Sequence, residues 1–161
     1  MDSVLRLILR LLLIPTGVLV AAGVQAIIIL FGQWRIDAVA AGIRDPQDAM
    51  AFTGAVFLAG FLTAAYLFLA WAIGAIGILF AEAFAVRSWL FHIANGAVSA
   101  FLAVQIFPMF MDEPAPLEDR FYILAAGLAG GLVYWLIAGW SAGFWKTVLA
   151  PPRPPPAPPV A

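Results

Sequence analysis

His92, Asn95 and Ser99 are separated by three and then four residues, so a helix drawn through them carries all three on one face. An imidazole changes charge near neutral pH, and the amide and hydroxyl each donate and accept hydrogen bonds. Such a stripe could hold a small polar ligand or pass on a proton. Its more ordinary role is interhelical glue, worth about 0.6 kcal/mol per bond inside a membrane. His92 is the single histidine of the chain. A second group is Glu82, Arg87 and Trp89. Glu82 and Arg87 do not align on a continuous helix, but a turn between them could bring them together. The bland reading is an interface charge pair; the functional one is an anionic headgroup or a partner held by Arg87.

Equally informative is what is missing. There is no cysteine, which removes disulfides, thiolate metal sites and thiol redox chemistry. A single histidine cannot supply both axial ligands of a bis-histidine haem, and a zinc protease needs more ligands than this. No phosphate-binding glycine loop or nucleophile elbow is present. No carboxylate lies well inside an apolar stretch, where a proton-coupled exporter would need one. The expectation is therefore no catalytic residue, no metal and no cofactor. A net charge of −1 offers no basic surface for nucleic acid.

The elements that position these groups are set by four charge-free stretches, 11–34, 49–81, 88–111 and 121–145. Each exceeds the roughly 20 residues that cross about 30 Å of hydrocarbon as a helix. Only 11% of the residues are charged and 65% are hydrophobic, which leaves no polar face for water. The fold expected is all-α: a polytopic membrane protein with four transmembrane helices in an up-down bundle. Residues 1–150 form that domain, and 151–161 a proline-rich, extended tail. Arg6 and Arg10 before an apolar run have the grammar of a signal peptide, but the run continues unbroken through Phe31, so the first span is expected to be retained.

Boundaries are partly legible. Arg6 and Arg10 share a face and are expected to snorkel to headgroups. Ile36, Val39, Ala40 and Ile43 have helical spacing in the first loop. Asp45 suits an N-cap and Pro46 the first helical position, so the second long helix should begin there and run about 50 Å. Ser88 can cap the third helix. The fourth should continue until Pro151 and Pro152 stop it. Gln25 and Gln105 are further candidates for burial. Gly127 with Gly131, and Gly139 with Gly143, are spaced to let helix backbones approach.

Basic residues are slightly more numerous on the side of the termini and second loop, which places both termini in the cytoplasm. Arginine in excess over lysine, with abundant Ala, Gly and Pro, fits a GC-rich bacterial genome and hence an inner membrane. The run from Ala81 through Glu82, Arg87, Ser88 and Trp89 to His92 resembles a segment of small, uncharacterised four-helix proteins of bacterial inner membranes. That resemblance implies no activity. The reading that follows is a non-enzymatic accessory or assembly subunit, with lipid and other membrane subunits, or a second copy, as partners. The alternative is a component that binds or transports a small molecule or lipid.

Overall fold

A computed structural model describes residues 2–110 and 119–143. The proline-rich tail and most of the acidic loop before the last helix lie outside the described residues. The elements are α1 (Asp2–Gly32), α2 (Ile36–Ala40), α3 (Pro46–Phe84), α4 (Trp89–Ile106) and α5 (Arg120–Ile137), with short 3-10 turns at Phe107–Phe110 and Gly139–Ser141. Four of these helices are long and apolar enough to cross a membrane. The chain is an all-α, multi-pass membrane protein.

The four long helices form a ring in which each packs against the next: α1 on α3, α3 on α4, α4 on α5, and α5 back on α1. Pro15 lies inside α1, which remains helical from Asp2 to Gly32. Pro46 opens α3 as expected, and the Asp45 carboxylate accepts from the N–H groups of Gln47 and Asp48 at 2.8 and 2.9 Å. Asp119 caps α5 in the same way, accepting from the Phe121 N–H at 3.0 Å. Ser88 precedes α4 without a capping bond from its side chain.

Two apolar layers fill the ring. One gathers Ile29, Tyr66, Leu67, Ala103, Phe107 and Ile123; the other gathers Ala21, Ile78, Tyr134 and Ala138. The tightest seam is α4 against α5. A Cβ added at Gly96 would collide with the Gly127 carbonyl oxygen, and one added at Gly131 with that of His92. Outward-facing positions of the long helices are mostly apolar, among them exposed Leu19, Ile27, Phe68, Ile76 and Leu79.

Three expectations change. The fourth helix stops at Ile137, well short of Pro151, so Gly139 and Gly143 lie beyond it and present no helical small-residue surface. Gly143 has φ +94, a left-handed backbone that a side chain disfavours, and its Cα faces Ala85 so closely that a Cβ would collide there. Arg10 does not snorkel: it is buried, at 8% exposure. Gln105 is exposed rather than buried, whereas Gln25 is buried.

Candidate functional site

The polar groups of the bundle form a column that begins at the end where α1 starts and α3 stops. Arg10 Nη2 lies 2.9 Å from Glu82 Oε1, an ion pair rather than an aligned hydrogen bond. Arg10 Nη1 donates to the Ala138 carbonyl at 2.8 Å and to Ser141 Oγ at 3.1 Å. The other carboxylate oxygen, Glu82 Oε2, accepts from the Gly143 N–H at 3.0 Å. Arg87 Nε donates to the Ala142 carbonyl at 2.9 Å, and Trp135 Nε1 donates to the Arg87 carbonyl at 2.9 Å.

The chemistry of this cluster is that of a helix end. The last carbonyls of any helix lack intrahelical donors and need partners when buried. Here two arginines from other parts of the chain supply them over Ala138–Ala142. Glu82 and Arg87 therefore belong to one cluster without pairing with each other: each holds the segment after α5. Trp89 stands half-exposed at the start of α4 and takes no part.

One turn deeper is His92, 2% exposed. Its Nε2 lies 3.3 Å from the Val86 carbonyl oxygen. Its ring packs against Tyr134 with centroids 5.4 Å apart, and a Cβ at Gly139 would meet the ring edge at 2.8 Å. The rest of the expected stripe separates in role. Asn95 Nδ2 crosses to the Gly74 carbonyl of α3 at 3.0 Å, whereas Ser99 Oγ turns back to the Gly96 carbonyl of its own helix at 3.1 Å. Gln25 of α1 accepts from Trp71 Nε1 of α3 at 2.8 Å. Between these groups is a cavity of about 10 Å³, lined by Gln25, Trp71, His92, Asn95, Ser99 and Tyr134 together with Ala70, Gly96 and Gly131. That is room for the centre of one water.

Most of these polar side chains thus join helices. Tyr66 to the Ala100 carbonyl at 2.9 Å, and Trp34 to Thr63 at 3.2 Å, do the same in the other half of the bundle. Asn95→Leu should cost about 0.5–1.5 kcal/mol, the value of one interhelical bond in a membrane, read as a shift in the midpoint of detergent-induced unfolding. A far larger loss would mean that Asn95 does more than tie α4 to α3. Among the described residues, no three His, Cys, Asp or Glu side chains are placed to hold a metal ion.

Sequence reasoning singled out His92, Asn95, Glu82, Arg87 and a buried Gln25, but missed Arg10 and Ser141 as companions of this cluster. Arg10 had a signal that could have been used. It lies inside the apolar window Leu7–Gly32, deeper than a headgroup contact requires, and Glu82 holds the matching place at the end of α3. No protein-family model, no curated protein and no solved structure matches this chain.

Proposed function

We propose that this chain is a non-enzymatic membrane protein that serves as an accessory or assembly subunit of a larger complex. The observation that carries this reading is the overreach of α3. The N–H of Asp119 donates to Gln33 Oε1 at 3.3 Å and Trp34 donates to Thr63, so the end of α1, the start of α5 and Thr63 share one level. The charged residues Arg35, Asp119 and Arg120 sit at or beside that level, as at a bilayer surface. Yet α3 begins at Pro46, and none of residues 46–58 is buried. At 1.5 Å per residue this extension stands roughly 20 Å beyond the bundle.

The extension is apolar where water would be expected. Met50, Gly54, Phe57 and Phe61 follow one another at i, i+4, i+7 and i+11, a single exposed stripe. On the other side, Val39 and Ile43 from α2 and its following turn line a shallow groove with Ala51, Phe52 and Ala55. The first side is therefore left for another polypeptide. Large exposed apolar patches mark such interaction surfaces.

The carrier alternative has less support. Sites for small molecules occupy about 300–1,000 Å³. The cavity beside His92 is about 10 Å³, and its polar lining is largely engaged between helices. The slight excess of basic residues at the Arg87 end supports placing that end, and both termini, in the cytoplasm of a bacterial inner membrane.

Purification of the full chain in a mild detergent is expected to bring down a second membrane polypeptide in stoichiometric amount. Phe57→Glu combined with Phe61→Glu should lower its recovery at least about tenfold, as for a disrupted interface centre, with the thermal transition of the bundle unchanged. Recovery of a monomer alone, or of an assembly indifferent to both changes, would refute the assignment. A homo-oligomer lost in the double variant would replace a foreign partner by a second copy.

A further inference from the structure

We propose that a single water occupies the cavity between α1, α3, α4 and α5, and that it donates a hydrogen bond to Nδ1 of His92. Val86 O is a carbonyl and can only accept, so the Nε2 that lies 3.3 Å from it carries the proton. A neutral ring with its proton on Nε2 presents a lone pair at Nδ1. That atom is buried and has no hydrogen-bond partner among the described residues. An unmet buried acceptor costs about 1–3 kcal/mol, enough to demand a donor.

The cavity is the place from which that donor comes. His92 lines it, and its volume of about 10 Å³ is of the size of one water centre. A buried water needs two to four polar neighbours, and Gln25, Ser99 and Tyr134 line the same space. Ser99 Oγ gives its proton to the Gly96 carbonyl and so retains lone pairs to accept the second water proton. The Tyr134 hydroxyl can donate to the water oxygen. A metal ion is a poorer occupant, since no three metal-ligating side chains converge among the described residues.

The water acts as a positioning ligand. By filling Nδ1 it fixes the tautomer in which Nε2–H holds the Val86 carbonyl. Val86 belongs to the α3–α4 turn, beside Arg87, and the His92 ring is the surface on which Gly139 rests. One hydrated histidine thus helps hold both the turn and the segment that follows α5.

The chain has one histidine, so its ring signals are unambiguous. The full-length protein labelled with ¹⁵N and ¹³C at histidine, in micelles or bilayers, is expected to show a protonated Nε2, an unprotonated Nδ1 and magnetisation transfer from water to the ring carbon proton between them. Ser99→Val fills the cavity with methyl groups. It should abolish that transfer and move the Nδ1 resonance toward the value of an unbonded nitrogen, with helicity unchanged. Should Ser99→Val fail to fold, Ala70→Val narrows the same space from α3. A ring protonated at Nδ1, a ring protonated at both nitrogens, or a wild-type ring that receives nothing from water would each overturn the proposal. So would a folded cavity-filled variant with an unaltered Nδ1 signal.

Discussion

Glu82→Ala is expected to lower the stability of the bundle by about 3–5 kcal/mol, the cost of leaving a buried charge without its partner. The pair it breaks has little access to solvent: Arg10 and Glu82 are each 8% exposed, and their charged atoms are 2.9 Å apart. A surface ion pair would be worth about 0–1 kcal/mol, so the two possibilities differ by several fold in the measurement. Glu82 also accepts the Gly143 N–H, which the alanine variant leaves buried and unmet. Glu82→Gln should be milder, because an amide oxygen still accepts from Gly143 or from Arg10. Arg10→Ala should approach Glu82→Ala, since it strands the carboxylate, although the Ala138 carbonyl keeps the Ser141 hydroxyl as a donor. The double change Arg10→Met with Glu82→Leu should recover a large part of either loss, because it removes both charges and keeps the volume. Wild type, Glu82→Ala, Arg10→Ala and the double alanine variant form a cycle whose coupling energy is read from unfolding in mixed micelles. A loss below about 1 kcal/mol for Glu82→Ala would place the pair in water and undo the account of the bundle end.

The same cluster explains what could and could not be read from the chain alone. The spans were legible because the crossing length is a property of each stretch by itself. The start of α3 was legible because Asp45 and Pro46 are neighbours in sequence and act locally. The end of α5 was not. The apolar run continues past Ile137 through Trp140 to Phe144, with no proline to stop it. Where it ends, donors arrive from elsewhere: Arg10 joins the Ser141 hydroxyl at the Ala138 carbonyl, and Arg87 reaches that of Ala142. Burial of Arg10 and termination of α5 are thus one event, produced by residues far apart in sequence. A pattern that is periodic or contiguous announces itself; a joint between distant segments does not.

The polar stripe shows the same division. Its placement on one helix face was legible from spacing, yet the three side chains do different things because each meets a different neighbour. Asn95 meets a backbone carbonyl left open by Gly74, Ser99 folds back on its own helix, and His92 meets the turn. Gln25 and Trp71 complete the lining from two other helices. Spacing gives a face, and only packing gives a partner.

The second large effect is expected at the α4–α5 seam. Gly131→Ala should destabilise the bundle by about 1–3 kcal/mol or more, although alanine is the better helix former by about 1 kcal/mol. The sign is decided by what the new methyl group meets. At Gly131 it would run into the His92 carbonyl oxygen and come within 2.8 Å of Ile93 Cα, both of them backbone. Backbone inside a helix cannot turn aside as the tip of a side chain can, so the two helices must move apart. Separation would loosen the contacts of Gly96 and Gly127 on the same seam and displace His92, whose carbonyl is the obstacle. Gly127→Ala should act similarly, with its methyl group 2.7 Å from Ala100 Cβ and from the Gly96 oxygen. Gly23 and Gly60 provide the controls, since a methyl group at either meets nothing within 4 Å among the described residues. Alanine there should be neutral or slightly stabilising. Unfolding midpoints of these four variants, compared in one detergent, test the seam directly. Equal behaviour of Gly131→Ala and Gly23→Ala would mean that α4 and α5 do not touch through their backbones, and the glycine spacing would then be only a reflection of composition.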